Sequence, residues 1–139
     1  MNLYICDYNR KEVQERYEVS RDFKECDLSG LNLTELSLKY ANFEGANLEG
    51  VDFTDAKLDF ANFRNANLKN ARFLGEVTFE GADFRGADFR QAKFGSPILL
   101  NSLLHDSFTQ VQGSEGLFKT QKELDDWIYD FEAERFDRN

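Results

Sequence analysis

Apolar residues recur every five positions through the middle of the chain, a spacing that fits neither a helix nor a flat strand. A helix repeats every 3.6 residues and a strand every 2, so a period of five keeps one face inward only if the backbone turns a corner in each unit. Fifteen units follow the rule, each centred on Phe or Leu: Phe23, Leu28, Leu33, Leu38, Phe43, Leu48, Phe53, Leu58, Phe63, Leu68, Phe73, Phe79, Phe84, Phe89 and Phe94. The pattern predicts a coiled backbone.

A second period of twenty residues emerges when every fourth unit is compared. Residues stacked in successive coils must match in size to pack, and one column contains only Phe: Phe23, Phe43, Phe63 and Phe84. The position two residues before each centre is Ala or Val from Ala41 to Ala92. We therefore predict a solenoid with four five-residue sides per coil, filled by Phe, Leu and small side chains.

The units "ANFEG", "ANLEG", "ADFRG" and "ADFRQ" resemble the A(D/N)LXX units of the pentapeptide-repeat family. The resemblance covers residues 21 to about 96 and reaches 106 through the degenerate units "PILLN" and "SLLHD". It implies an all-β solenoid, a right-handed quadrilateral β-helix of about four coils. Members of such a family share a scaffold and differ in partner, so the resemblance implies little about function.

The extra residue in "RFLGEVTF", at Gly75 or Glu76, interrupts this register as a β-bulge would. Gyrase-protecting members of the family often carry longer loops, and a single inserted residue departs from that pattern.

The segments that flank the repeats are expected to be caps, because a solenoid exposes its apolar stack and open backbone edge at both ends. We divide the chain into an N-terminal cap (1–20), the β-helix (21–106), a linker (107–119) and a C-terminal helix (120–139). Within the first segment, "NRKEVQERYEV" fits either a short helix or an edge strand.

The C-terminal segment "TQKELDDWIYDFEAERF" has Thr120 and Glu123 at capping-box spacing, which predicts an amphipathic α-helix. Its apolar face consists of Leu124, Trp127, Ile128 and Phe131. The face fits a lid on the last coil. It also fits a homodimer contact, which is the role the resemblance implies from gyrase-protecting members.

Length and composition fit one small domain of 139 residues with no apolar run long enough to span a membrane. The N-terminus has no apolar signal region, so we expect a cytoplasmic protein. Cys26 occupies an inward small position and is predicted to be a buried free thiol. Cys6 has no partner at metal-binding spacing, and neither a disulfide nor a metal site is expected.

The charge of the chain is unevenly distributed. The net charge is −9, yet residues 21–60 carry nine acids and four bases, whereas residues 61–96 carry four acids and six bases. The twenty-residue register stacks Arg64 under Arg85, Lys69 under Arg90 and Arg72 under Lys93. We name these pairs the basic ladders; they fit either a partner-binding face or a solvated surface.

Two aromatic residues, Tyr40 and Phe60, fall at the same outward corner one coil apart, with Gly81 and Asn101 continuing the column and Ile98 and Leu100 on the same side. Exposed aromatic side chains at a corner fit a binding hot spot or the seat of a terminal segment.

Catalytic constellations are not expected. The single histidine, His105, has only sequential neighbours of catalytic type, and no Gly-rich phosphate loop or Cys/His cluster occurs. A filled coil also leaves no room for a cofactor. An acidic chain is unsuited to direct nucleic-acid binding.

The sequence therefore predicts a non-catalytic adaptor that binds another protein through Arg64, Lys69, Arg85, Arg90, Tyr40 and Phe60, or through its terminal helix. The alternative, which the family resemblance and the acidic balance suggest, is a DNA mimic that binds DNA gyrase or another topoisomerase.

Overall fold

The computed structural model describes Cys6, residues 8–95, Val111 and Gly116. Helix α1 spans Arg10–Val19, and two short parallel strands, β1 (Arg72–Phe73) and β2 (Lys93–Phe94), pair with each other. The rest of the repeat region is linked by isolated parallel bridges. These join residues 20 apart from Asp22↔Asn42 to Asp52↔Arg72 and 21 apart from Lys57↔Thr78 onward. The predicted coil length of twenty residues is confirmed.

The interior is filled by the predicted columns. Phe43, Phe63 and Phe84 are fully buried, and adjacent rings in this column lie 5.1 and 4.7 Å apart with nearly parallel planes. A second column of rings, Phe53, Phe73 and Phe94, stacks at 5.4 and 5.3 Å. Only Ala and Val occupy the small inward positions from 41 to 87, because rings on the neighbouring sides fill the remaining volume.

Asn and Asp residues on the outer faces fix the turns. At ten positions between Asp22 and Asp88 the side-chain oxygen accepts the backbone N–H two residues later. These side chains therefore satisfy backbone donors at the turns, the local role that Asn and Asp often take.

The extra residue lies in a corner and not in a paired face. Asp55 Oδ1 accepts the N–H of Glu76 at 2.8 Å, and a Cβ on Gly75 would collide with the same carboxylate. Gly75 has φ +63°, which an L side chain rarely adopts. The inserted residue thus lengthens one turn, and pairing resumes with Leu58 N–H donating to Thr78 O.

The N-terminal segment forms a helix, which decides between the two structures that the sequence allowed. Asn9 caps α1 by accepting the N–H of Glu12 at 2.9 Å, and Val13 is fully buried. Tyr8 packs edge-on against Phe23, with ring centroids 6.3 Å apart, at the first end of the aromatic column. This part of the predicted cap therefore covers the first coil.

The prediction of a free thiol at Cys26 is wrong. Cys6 and Cys26 form a disulfide, with their Cα atoms 5.1 Å apart. Cys26 does lie at the inward small position, 2% exposed, in the column continued by Ala46, Ala66 and Ala87. The two cysteines are 20 residues apart, which is one coil length, so Cys6 takes the place that a preceding coil would occupy.

Replacing Phe63 with Ala should destabilise the middle of the solenoid by about 3–5 kcal/mol, because it removes a ring packed on both sides and leaves a cavity. Chemical denaturation monitored by circular dichroism measures the change. Phe60→Asn is the matched control: this ring is exposed, and its corner conformation is held by Asn at positions 65 and 70, so stability should change little. Equal losses in the two variants would contradict the packing argument.

Candidate functional site

The most unusual surface of the described chain is the aromatic corner, which we define as Tyr40 and Phe60. Their rings stack with centroids 5.1 Å apart and planes 14° from parallel. Tyr40 is 60% exposed and Phe60 is 47% exposed. The corner was predicted from the column register, and the structure brings the two rings together.

Both aromatic residues occupy a backbone conformation that favours glycine or asparagine. Their φ angles are +63° for Tyr40 and +60° for Phe60, and the other corners of this conformation carry Gly or a polar residue, such as Gly45, Glu35 and Asn65. A bulky side chain at such a position costs conformational energy, and its exposure recovers little by burial. The fold alone therefore does not favour these two rings.

Gly81 completes the corner column. A Cβ at Gly81 would lie 2.5 Å from Cδ1 of Phe60, so only glycine leaves space for the Phe60 ring to rest over the next coil. The column position of Gly81 was predicted, whereas Asn101, Ile98 and Leu100 lie outside the described residues.

Helix α1 carries a further exposed apolar side chain. Val19, the last residue of α1, is 82% exposed and precedes Ser20, which is one coil length before Tyr40. Val19, Tyr40 and Phe60 are the exposed large hydrophobic residues among those that the structure describes. Val19 was not among the candidate site residues predicted from the sequence.

Polar contacts hold the backbone beside the aromatic corner. Tyr17 in α1 donates its hydroxyl hydrogen to the carbonyl of Lys39 at 2.7 Å. Asp59 accepts from Thr78 Oγ1 at 2.8 Å and from the N–H of Glu80 at 2.9 Å. These contacts fix the residues that precede both rings.

The basic ladders stack as predicted but are partly neutralised. Arg85 makes a bidentate contact with Asp83 at 2.9 and 2.7 Å. Arg90 contacts Asp88 in the same way, its shortest bond being 2.7 Å. Each carboxylate lies two residues before its arginine, a spacing visible in "ADFR". The net charge of residues 61–96 therefore does not reveal that two of the arginines are paired with carboxylates.

The other ladder members are arranged more loosely. Arg64 is exposed and Lys69 half-buried, while Arg72 lies 3.8 Å from a carboxylate oxygen of Asp52. Arg72 and Lys93 are confirmed as register partners. The ladders therefore form a mixed surface of alternating charge, with Arg64 and Lys69 beside the two paired arginines.

The ion pairs also shift the pKa values of their carboxyl groups. The hydrogen bond from Arg90 holds the pKa of Asp88 below its ordinary value, although burial acts in the opposite direction. At Asp83 burial is the largest influence and favours the neutral acid, but the hydrogen bonds and charge of Arg85, with the charge of Arg64, together lower the pKa.

A metal centre has no support among the described residues, where no group of three or more His, Cys, Asp or Glu side chains converges. Among the residues that the structure describes, no helix is long and apolar enough to cross a membrane. His105 lies outside those residues.

The predicted lid or dimer residues Leu124, Trp127, Ile128 and Phe131 also lie outside the described residues. Two earlier positions are described. Val111 packs against the hydrophobic core, and Gly116, with φ +85°, lies so close to the backbone of Phe89 and Arg90 that a Cβ would collide with it. These two positions therefore lie against the repeat body.

Comparison with family models identifies two matches, both described as pentapeptide repeats, over residues 22–55 and 61–97. They cover just over half of the chain, and the stacked coils have the repeat that the family defines. The chain belongs to the pentapeptide-repeat family. Comparison with curated proteins finds no match.

Several solved structures are similar. A pentapeptide repeat protein from Nostoc is 27% identical, with 75% of this chain and 96% of that chain covered and a TM-score of 0.32. A pentapeptide repeat protein from the Arabidopsis thaliana thylakoid lumen is 22% identical, with 79% of this chain and 68% of that chain covered and a TM-score of 0.33. Full-length QnrB1, a plasmid-mediated fluoroquinolone resistance protein, is 16% identical, with 79% of this chain and 72% of that chain covered and a TM-score of 0.28.

Substituting Arg85 with Ala should raise the pKa of Asp83, because burial is then opposed only by the backbone N–H of residue 85 and the charge of Arg64, without the guanidinium hydrogen bonds and charge of Arg85. A carboxyl group with a depressed pKa contributes stability above its unfolded pKa, about 3.9, and loses that contribution as pH falls through the folded value. The variant should therefore show a flatter decline of stability below about pH 4. NMR titration of the carboxyl carbons measures both aspartates.

Asp88 serves as the internal control in the same spectrum, since its arginine is intact and its pKa should not move. The melting temperature at neutral pH should remain nearly unchanged because Arg85 is a surface residue. An unaltered pKa at Asp83 would show that the Arg85 contact does not govern it.

Proposed function

We propose that this protein is a non-catalytic adaptor that binds another protein through the aromatic corner. The observation that carries the proposal is the stacked pair Tyr40 and Phe60, which is exposed and held in a left-handed backbone conformation. The other left-handed corners of the described coils carry Gly or a polar residue such as Glu35 or Asn65, so the fold does not require an aromatic ring at such a corner.

The chemistry of the corner suits protein recognition. Aromatic side chains are enriched at binding hot spots because they bury a large area while few torsions are immobilised. With about 150–250 Å² per aromatic side chain, the exposed parts of both rings amount to roughly 200 Å². Their burial would contribute on the order of 5 kcal/mol before the costs of association.

The rings are also pre-organised. They stack on each other, Phe60 rests over Gly81, and the residue before each ring is held by hydrogen bonding. A partner would therefore lose little affinity to ordering this surface. Arg64, Lys69, Arg85 and Arg90 form a second, charged surface for such a partner.

The double variant Tyr40→Asn, Phe60→Asn tests the proposal. It should keep the melting temperature, since Asn suits both corners, and should lose the bound partner. Affinity capture from cytosol of the source organism, quantified by mass spectrometry, compares this bait with the unaltered chain. The matched control is Asn65→Gly with Asn70→Gly, which changes two corners of the same kind without removing an aromatic ring.

A protein recovered by the unaltered chain and the control but lost from the double variant supports the adaptor function. Equal recovery from all three baits contradicts binding at the aromatic corner. A charge-reversal bait is then compared with the unaltered chain, and loss of the captured protein from this bait identifies a partner that uses the basic ladders instead. Its four substitutions are Arg64→Glu, Lys69→Glu, Arg85→Glu and Arg90→Glu.

The second candidate function is DNA mimicry toward gyrase. The supporting observation is a set of exposed carboxylates on the first two coils: Asp22, Glu25, Asp27, Glu35, Glu49 and Asp55. Glu35 and Asp55 are one coil apart, at the strand spacing of about 4.8 Å, and the other four carboxylates lie on separate columns of the same two coils, so together they present a negatively charged surface like that of a phosphate backbone.

DNA mimicry predicts that the protein slows supercoiling by purified gyrase and that neutralising the carboxylates removes the effect. Asp22→Asn, Asp27→Asn and Glu49→Gln suit this test, because Asn occupies the stacked positions 42 and 47 and keeps the turn hydrogen bond. No effect of the unaltered protein at micromolar concentration would exclude this function.

A further inference from the structure

The disulfide joins the segment before α1 to the first coil, and its two sulfur atoms belong to the chain's only cysteines. Cys26 is 2% exposed and is held among the Ala residues of its column. Cys6 is half-buried. Cys6 is therefore the more exposed residue of the pair.

Side chains of helix α1 donate hydrogen bonds to the open backbone edge of the first coil. Arg16 donates to the carbonyl of Asp22 at 3.4 Å, and Arg10 donates to the carbonyl of Asn32 at 3.1 Å. Tyr17 donates to the carbonyl of Lys39 at 2.7 Å. Each of these carbonyls faces the side where no preceding coil exists.

The next coil shows what these carbonyls lack. The stacked positions are Asn42, Asp52 and Asp59, and their carbonyls accept backbone N–H groups of the first coil, from Phe23, Leu33 and Tyr40 respectively. Three side chains of α1 therefore replace the backbone donors of an absent coil. An uncovered strand edge of this kind is a template for pairing with another chain.

Few interactions retain α1 on this edge. Isolated helices shorter than about 12–15 residues are marginal in water, and α1 has 10 residues with one fully buried side chain, Val13. Its contacts through Arg10 and Arg16 are solvent-exposed. Besides the backbone that leads from α1 into the first coil, the disulfide is the covalent cross-link between the cap and the coil.

We propose that the Cys6–Cys26 pair is a redox-sensitive latch on the N-terminal cap. The oxidised pair holds α1 over the carbonyl edge of the first coil. Reduction releases α1 to open locally and exposes the carbonyls of Asp22, Asn32 and Lys39, while the coils beyond the first remain folded.

The reductant is a thiol, and the greater exposure of Cys6 favours attack at its sulfur. The thiolate attacks the sulfur of Cys6, a mixed disulfide forms there, and the S–S bond breaks with Cys26 leaving as a thiolate that takes up a proton. A second thiol equivalent attacks the mixed disulfide and releases Cys6. The protein disulfide gains two electrons and two protons, and the reductant becomes a disulfide.

The latch operates in either direction. In a reducing compartment, such as the predicted cytoplasm, the two thiols form the resting state and an oxidant closes the cap. In an oxidising compartment the disulfide is the resting state. The coil accommodates both states, because a reduced Cys26 is a small apolar side chain in a column of Ala.

Hydrogen–deuterium exchange of the full chain, oxidised and after dithiothreitol treatment, tests the latch, with thiol titration confirming two reduced cysteines. A cross-link closing a loop of this length restrains opening by about a hundredfold, so amides of α1 should exchange about a hundredfold faster in the reduced protein. Amides of Phe43 and Phe53 in the second coil should be unchanged.

Cys26→Ala is the matched control, since it reproduces the residue found in the next three coils. Its α1 should exchange like that of the reduced protein, and dithiothreitol should change nothing further. Unaltered exchange of α1 on reduction would overturn the latch. So would loss of protection through all coils, which indicates a staple for the whole fold, or failure of the folded protein to yield two thiols.

Discussion

The structure depends on one constraint: the backbone of each coil bonds to a copy of itself about twenty residues away. Asn42 donates to Arg21 and accepts from Phe23, and the same pattern returns at Asn62 with Ala41 and Phe43. Because every coil must match its neighbours in length and cross-section, the interior admits a narrow set of side chains. The outer faces and corners carry less of this restriction, and the chain can place recognition there without altering its core.

Much of the fold could be predicted from sequence, because this constraint requires similar residues to recur at every fifth and every twentieth position. The columns of Phe and the small inward positions follow from size matching, and both are confirmed. The ends were harder, since no repeat specifies them. Val13 and Tyr17, four residues apart, were too few to decide between helix and strand. The disulfide was missed because Cys6 lies outside the repeats, although its separation of 20 residues from Cys26 equals one coil.

The positions of the surface residues could be predicted from the sequence, but their local conformation and their ion pairing could not. The register placed Tyr40 beside Phe60 and Arg64 beside Arg85. It also gave their outward direction, but it could not give the left-handed backbone conformation of both corners or the stacking of the two rings. Counting charges by segment also misjudged the basic ladders, because Asp83 and Asp88 neutralise the arginines two residues later. Local pairing, rather than net charge, decides what a partner encounters there.

The aromatic corner and the cap converge on the first coil. Tyr17 of α1 donates its hydroxyl hydrogen to the carbonyl of Lys39, which precedes Tyr40. Any opening of α1 removes this contact, which fixes the backbone before Tyr40. Phe60, by contrast, is held by Gly81 and the second and later coils. One ring of the pair is therefore coupled to the cap and the other is anchored in the repeat body.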